Sequence, residues 1–203
     1  MRALCYTRPM PLVVLLHSAL GLRPAVRDAA DLLRDHGHRV IAPDYYDGRV
    51  FDAVQDGLAY RDAVGAGELR RRVWAVAADA GEPAVYAGFS LGASYAQRLV
   101  VTGAPALGAV LMHNAQPVSD FGAGAWPSDV PAQVHYARHD PWMSQEEVDA
   151  LTRDLRRAHA RFEIFVYPGD AHLFADPGTV DHDPVAARHM WDRVLAFLDG
   201  LPA

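Results

Sequence analysis

The sequence contains no lysine, and all 19 basic residues are arginine. The 203 residues carry a formal net charge of -6, so composition gives no basis for nucleic-acid binding. The use of arginine alone indicates a coding bias rather than a partner. One tight basic run, Arg70-Arg71-Arg72, lies within a helical pattern and predicts a solvated helix face.

Cysteine and long apolar runs are also scarce. A single cysteine, Cys5, excludes an intrachain disulfide framework and is interpreted as an inert thiol. The apolar run at 10–16 is too short to span a membrane, and no cationic start followed by a cleavable small-residue site is evident. We therefore expect a cytoplasmic enzyme with no membrane partner. With 51% hydrophobic residues, the chain predicts one domain over 1–203.

Short apolar runs alternate with amphipathic stretches along the whole chain. This alternation predicts an α/β fold, a mostly parallel sheet with helices on both faces. The predicted strands are 12–16, 39–42, 84–87, 106–112, 133–136 and 162–167. The predicted helices are 24–36, 51–60, 68–80, 93–101, 144–158 and 184–198, and the fifth of them opens with a capping box formed by Ser144 and Glu147.

The motif Gly88-Phe89-Ser90-Leu91-Gly92 joins a predicted strand to a predicted helix. Such a turn holds its serine in strained backbone geometry, and a Cβ at either flanking glycine would collide with the neighbouring strand or helix. The geometry exposes the serine hydroxyl above the sheet. The alternative is a glycine-serine loop that only turns the chain.

A serine hydroxyl needs a base, and that base needs an anionic partner to orient it. Where the serine lies on such a strand-to-helix turn, these groups follow it in the order acid, then histidine, on loops at the carboxyl edge of the sheet. Asp140 follows the second strand after the serine, and His172 follows the next strand. We therefore predict Ser90 as nucleophile, His172 as base and Asp140 as orienting acid.

Other residues compete for these roles. Asp170 lies two residues from His172 on the same loop, which is poor placement for an orienting acid. His182 lies too far beyond the last strand to be the favoured base, and His139 is interpreted as a rim or structural residue. Asp181-His182-Asp183, or Asp170 with His172, suggests a metal, but neither has the regular helical histidine spacing of a strong metal motif. No metal or cofactor is predicted.

The predicted site also needs an oxyanion hole and a substrate pocket. The Leu91 amide and an amide of the loop after the first strand, that of Ala19, are the predicted donors. His113 and Asn114 are expected to contact substrate rather than to catalyse. The other predicted substrate contacts are Ser18, Leu20, Tyr45, Phe89, Trp142 and Phe174. Tyr46, Phe121 and Trp126 are further candidates for an aromatic lining, and 120–131 is expected to be a surface loop bordering a pocket.

These motifs together resemble the dienelactone hydrolase family of α/β-hydrolases, over nearly the whole chain. The matching segments are Val14-Leu15-Leu16-His17, Gly21-Leu22, Ala42-Pro43-Asp44-Tyr45, the Ser90 motif, Asp140 with its capped helix, and Tyr167-Pro168-Gly169 leading to His172 and Phe174. The resemblance implies a compact α/β-hydrolase fold without a large cap domain. It also implies hydrolysis of an ester or lactone through an acyl-enzyme.

Three departures from that family bear on the substrate. Members that open dienelactones carry a cysteine at the position of Ser90, a glutamate where this chain has Ser18, and a substrate-binding arginine where it has Asp176. An acid in place of a carboxylate clamp argues against an anionic lactone. We therefore expect an uncharged or weakly polar ester, lactone or thioester, handled by a monomer or homodimer. The alternative from another class is a ligand-binding or interaction protein on a hydrolase scaffold.

Overall fold

Six parallel strands form one sheet in the order β2-β1-β3-β4-β5-β6. The structure, a computed structural model, describes residues 10–122 and 124–202, so Cys5 lies outside the described residues. The strands are β1 (Leu12–Leu16), β2 (Arg39–Ile41), β3 (Ala84–Phe89), β4 (Ala106–Met112), β5 (Ala132–Ala137) and β6 (Phe162–Tyr167). The predicted parallel α/β architecture is confirmed.

Helices cover both faces of this sheet. They are α1 (Pro24–Asp35), α2 (Val54–Val64), α3 (Ala66–Asp79), α4 (Leu91–Val101), α5 (Gln145–Arg157) and α6 (Pro184–Asp199). Buried side chains of α3, α4 and α5 form one core with one face of the sheet, and those of α1 and α6 form a second core with the other face. Successive side chains of a strand point to opposite faces of the sheet, and in β1 Val14 accordingly belongs to the first core and Val13 to the second.

Three helix predictions were displaced by a few residues. The second helix begins at Val54 rather than residue 51 and runs on to Val64, the third begins at Ala66 rather than residue 68, and the fourth begins at Leu91 rather than residue 93. Within α2 only Gly57 is buried, so no apolar stripe marks where this helix starts or ends. The predicted capping box of α5 is confirmed, because Ser144 and Glu147 each accept a hydrogen bond from the other's backbone N–H.

No helix among residues 10–122 and 124–202 is both long enough and apolar enough to cross a membrane.

Strand β5 carries a buried histidine whose neutral form is built into the core. The Nε2 atom of His135 lies 2.8 Å from Oε1 of Gln133, and Nδ1 lies 2.9 Å from the Tyr167 hydroxyl. An amide oxygen only accepts, so Nε2–H donates to Gln133 and Nδ1 accepts from Tyr167. Burial, and then the charge of Arg193, lower the pKa of His135 from 6.5 to about 3.

This histidine predicts a loss of stability in mild acid. In the unfolded chain, His135 is protonated below about pH 6.5, whereas in the folded protein it stays neutral until the pH reaches about 3. Between these two pH values protonation favours the unfolded state, so the free energy of unfolding falls as the pH drops. We expect His135 to contribute a loss of about 2 kcal/mol between pH 7 and pH 4.5.

Urea unfolding of the parent and of His135→Gln at both pH values measures this contribution. The substitution is expected to reduce the pH-dependent loss by that amount, while His189→Gln, at an exposed position of α6, leaves it unchanged. An identical pH dependence in the parent and His135→Gln would contradict the assignment.

Candidate active site

Ser90 stands at a sharp turn between β3 and α4, at the carboxyl edge of the sheet. Its φ of 51° and ψ of -112° lie outside the regions that ordinary residues prefer, as predicted for this motif. The backbone N–H of Ser90 donates to the Met112 carbonyl at 2.7 Å, which ties the turn to β4. The strained turn is therefore held by the neighbouring strand.

The two flanking glycines allow the chain to pack at this turn. A Cβ added to Gly88 would lie 2.3 Å from the backbone of Gly92, and one added to Gly92 would lie 2.3 Å from the Leu16 carbonyl oxygen. Real Cβ atoms do not approach backbone so closely. The start of α4 thus lies directly against the end of β1, which brings the loop after β1 beside Ser90.

The structure brings together the three side chains that the sequence predicts to cooperate. The Ser90 hydroxyl lies 2.8 Å from Nε2 of His172, and Nδ1 of His172 lies 2.7 Å from Oδ2 of Asp140. His172 and Asp140 are both buried, whereas Ser90 is partly exposed. A carboxylate oxygen accepts, so Nδ1–H donates to Asp140 and Nε2 is left to accept from Ser90.

Asp140 is fixed by its own backbone surroundings. It follows β5, and its second carboxylate oxygen, Oδ1, accepts a hydrogen bond from the Trp142 N–H at 2.8 Å. The N–H of the preceding residue, His139, donates to the Gly169 carbonyl at 3.0 Å, which joins the loop after β5 to the loop that leads to His172. This connection holds acid and histidine in one geometry.

The competing residues lie elsewhere. The side chains of Asp170, His182 and His139 are exposed, and each lies outside the hydrogen-bonded chain from Ser90 to Asp140. The carboxylate of Asp181 accepts from the Leu173 N–H at 3.1 Å, and that of Asp183 accepts from the first turn of α6. These two acids therefore position the histidine loop and cap a helix.

The loop after β1 is held by several hydrogen bonds that leave one amide unused. The backbone oxygen of Ser18 lies 2.7 Å from Nδ1 of His17 and accepts from the Gly21 N–H, while its hydroxyl accepts from the Leu20 N–H at 3.1 Å. Burial lowers the pKa of His17 to about 4, so its ring is neutral at pH 7 and donates Nδ1–H to that carbonyl. Within the described residues, no hydrogen bond is found for the N–H of Ala19 or Leu91.

A cavity of about 180 Å³ opens beside Ser90. Of the predicted substrate contacts, His113, Asn114 and Trp142 line it, with the Trp142 ring 5.8 Å from the His172 ring. The remaining lining residues are Val54, Leu58 and Arg61 of α2, Leu91 and Ser94 of α4, Gln116 after β4, and His172. The contribution of α2 has no sequence signal, because that helix lacks an apolar stripe.

The other predicted substrate contacts lie outside this cavity. Tyr45 is buried, stacks on His17 at 3.6 Å and donates its hydroxyl hydrogen bond to the His17 carbonyl. Leu20 is buried, and its carbonyl accepts from the Phe51 N–H. Ser18 and Phe89 line a narrow neighbouring cleft together with Asp176. These residues shape the surroundings of the cavity rather than its wall.

Phe174 and His113 pack against each other behind His172. Their ring centroids lie 4.4 Å apart, and the His113 ring lies 6.2 Å from that of His172. His113 has a positive φ of 63° and both of its ring nitrogens are buried without a partner among the described residues. Burial first, and then the nearby His172 and His135, lower its pKa well below the ordinary value, so it is neutral at pH 7.

The loop at 120–131 borders a cavity of about 270 Å³, which Gly122, Gly124 and Trp126 help to line, and this cavity is separate from the one at Ser90. Phe121 and Trp126 are buried in the core, and the indole N–H of Trp126 donates to the Val130 carbonyl at 2.7 Å. Tyr46, a further predicted lining residue, is likewise buried. These three aromatic side chains belong to the core and do not line the Ser90 cavity.

A larger cavity of about 480 Å³ lies at the opposite, amino-terminal end of β5 and β6. Gln133, Arg161 and Glu163 line it, and none of them forms a hydrogen-bonded pair of nucleophile and base. We therefore assign the candidate active site to the smaller cavity at Ser90 on chemistry rather than on size.

Comparison with known proteins places this arrangement in a family. The family model described as "Dienelactone hydrolase family" matches residues 2–201. A carboxymethylenebutenolidase of Rhodococcus opacus is 28% identical over 205 residues, which cover 92% of this chain and 80% of that protein.

Solved structures show the same fold. A dienelactone hydrolase-like promiscuous phosphotriesterase, P91, from metagenomic libraries superposes with a TM-score of 0.80 at 24% identity, covering 96% of this chain and 88% of that one. Esterase 2 of Thermogutta terrifontis superposes with a TM-score of 0.69 at 18% identity, covering 95% and 84%. With the family model matching nearly its whole length, the chain belongs to the dienelactone hydrolase family and is a hydrolase of the α/β-hydrolase fold.

Proposed function

We propose that the protein hydrolyses a small ester or lactone through an acyl-enzyme formed on Ser90. The observation that carries this proposal is the continuous hydrogen-bonded chain from the Ser90 hydroxyl through His172 to Asp140, at the wall of a cavity. The names of the relatives are consistent with it, since one is a carboxymethylenebutenolidase and another an esterase.

The proposed reaction begins when His172 Nε2 takes the Ser90 proton as the hydroxyl oxygen attacks the substrate carbonyl. Asp140 stabilises the imidazolium that forms, and His172 then gives the proton to the leaving oxygen as the carbon–oxygen bond breaks. Water, deprotonated by the same nitrogen, then attacks the acyl carbonyl, and His172 returns that proton to the Ser90 oxygen as the acyl–oxygen bond breaks and the acid is released. The unused amides of Leu91 and Ala19 are the proposed donors to the oxyanion, because fixed N–H groups need no reorganisation as charge develops.

We propose an uncharged acyl group for the substrate. Asp176 lies in the neighbouring cleft, where its carboxylate accepts from the Gly178 N–H, so it does not set the charge of the cavity. One charged side chain among the described residues lines the cavity, that of Arg61, apart from the titratable histidines. Its guanidinium already pairs with Asp62 at 2.7 Å and therefore offers a substrate carboxylate less than a free cation would.

Rapid mixing with p-nitrophenyl acetate tests the acyl-enzyme. We expect a burst of p-nitrophenol close to one equivalent per active site, followed by slower turnover. Mono-p-nitrophenyl succinate, which adds a carboxylate to the acyl group, is expected to react about tenfold less efficiently, and a thioester panel distinguishes a thioesterase. A protein that gives neither burst nor turnover with esters, lactones or thioesters would instead be a binding protein on this scaffold.

Asp140→Asn is expected to lower kcat for p-nitrophenyl acetate by about 10³- to 10⁴-fold. An amide donates as well as accepts, so it can hold the histidine in the wrong tautomer and cannot stabilise the imidazolium. Steady-state kinetics measures the loss, and Asp170→Asn on the adjoining exposed loop is the matched control. A similar loss in Asp170→Asn, or none in Asp140→Asn, would overturn the proposed role.

A further inference from the structure

A second concave site lies between α3 and α4, apart from the cavity at Ser90. This groove of about 320 Å³ is lined by Arg70, Trp74, Tyr95, Arg98 and Leu99, among others, and none of the described residues that line it is acidic. Its volume falls in the range of small-molecule sites. The net charge of the chain is -6, so a groove whose charged lining residues are all arginines, Arg70, Arg71 and Arg98, is unusual for this protein.

The basic run of α3 does not form a uniform solvated face, because its three arginines have different surroundings. Arg71 is paired with Glu68 at 2.8 Å, and Arg72 is paired with Asp47 at 2.6 Å as well as with Glu68. Arg70 has no acidic partner among the described residues and lines the groove. Two cations of the run are therefore neutralised, whereas the third is available.

Arg98 of α4 is the second unpaired cation of the groove. It is half-buried, its guanidinium carbon lies 4.9 Å from the centroid of the Phe121 ring, and it too lacks an acidic partner among residues 10–122 and 124–202. Burial, and then the charge of Arg70, lower the pKa of Arg98, which indicates that the two guanidinium groups repel each other. An anion between them would relieve that repulsion.

Aromatic surface adjoins these two cations. The Trp74 side chain, 42% exposed, lines the groove beside Arg70, and Tyr95 lines the opposite wall. Guanidinium groups bind carboxylates and phosphates through paired N–H donors. Stacking of an aromatic ligand ring on an exposed indole buries apolar surface and favours binding. We propose that the groove between α3 and α4 binds an organic anion that carries an aromatic ring, with Arg70 and Arg98 holding the anionic group and Trp74 the ring.

Isothermal calorimetry with 2-naphthoate as the probe tests this site. We expect 2-naphthoate to bind and its uncharged isostere, 2-naphthamide, to bind at least about tenfold more weakly, because the charged hydrogen bonds are lost. The double variant Arg70→Gln/Arg98→Gln should weaken 2-naphthoate by at least about tenfold. Arg27→Gln/Arg188→Gln removes the same charge from exposed arginines elsewhere and should change the affinity by less than about twofold.

Further variants keep the outcome decisive. Arg70→Gln alone changes an exposed residue, so it reports on the site even where the double variant does not fold. Arg61→Gln removes the cation of the Ser90 cavity and should leave 2-naphthoate binding intact. Absence of binding, equal affinity for 2-naphthamide, unchanged affinity in Arg70→Gln, or a loss in Arg61→Gln instead would each overturn the proposal. None of these readouts depends on catalysis, so the proposal stands or falls separately from the proposed function.

Discussion

Ser90→Ala is expected to lower kcat for p-nitrophenyl acetate by about 10⁴- to 10⁶-fold, because it removes the proposed nucleophile and leaves only binding and oxyanion stabilisation. His172→Ala should cost about as much, since the serine hydroxyl at 2.8 Å from Nε2 would then lack its base. Groups that act as one unit are not additive, so the double variant should be no slower than either single variant.

Two controls separate this effect from general damage to the site. Ser94→Ala changes a second serine that lines the same cavity and donates its hydroxyl hydrogen bond to Gln116, and we expect less than about tenfold loss. His182→Ala changes an exposed histidine and should have no effect. A Ser90→Ala variant that kept a tenth of the parent's kcat, or a severe loss in His182→Ala beside a mild one in His172→Ala, would refute the assignment.

Gly92→Ala is expected to lower the free energy of unfolding by about 3–5 kcal/mol, at the upper end of single-substitution effects. The new Cβ would lie 2.3 Å from the Leu16 carbonyl oxygen and 2.5 Å from that of His17. Both obstacles are backbone atoms at the end of buried β1, so relief requires α4 to move away from the sheet. Such a shift would also displace Ser90 from His172.

Gly67→Ala is the matched control, because Gly67 is the second residue of α3 just as Gly92 is the second residue of α4. The nearest atom to its added Cβ is a side-chain nitrogen of Arg70, at 3.7 Å. Here we expect a gain of about 0.5–1 kcal/mol from helix propensity. Urea unfolding measures both variants, and a Gly92→Ala protein within 1 kcal/mol of the parent would contradict the tight packing of the turn.

The sequence was most informative where one physical constraint dominates. Strands β4 and β6 lie where the apolar runs predict them, because central strands of a parallel sheet are buried on both faces and edge strands still need one apolar face. The glycine spacing around Ser90 predicted a strained turn, since few other residues allow the backbone to approach so closely. By contrast, α2 buries only Gly57, and its bounds were missed.

The surroundings of Ser90 were harder to predict than the three aligned side chains. Strand order along the chain is enough to bring Asp140 and His172 to the carboxyl edge of the sheet beside Ser90. The residues of the cavity wall depend on how the loops and α2 pack over that edge of the sheet, and no local sequence pattern predicts this packing. Tyr45 illustrates the difficulty, because a loop tyrosine after β2 suggested a pocket, whereas its stacking on His17 buries it.

The proposed chemistry also has a structural cost that the sequence alone did not reveal. His113 is a buried imidazole with a positive φ and with no hydrogen-bond partner among the described residues, and it lies 6.2 Å from the His172 ring. Burying a polar group without a hydrogen-bond partner destabilises a fold, so such a residue behind the candidate active site indicates a role in function rather than in stability. Neutral packing of His113 against Phe174 keeps a second positive charge away from His172.

Mass spectrometry of the protein after reaction with a fluorophosphonate probe tests the central claim most directly. Trypsin cleavage at arginine leaves Ser90 and Ser94 in one peptide spanning 73–98, and fragmentation of that peptide distinguishes the two serines. We expect one adduct per chain, on Ser90, and no adduct on this peptide in Ser90→Ala. An adduct on Ser94 or on another residue, or no adduct at all, would contradict the account.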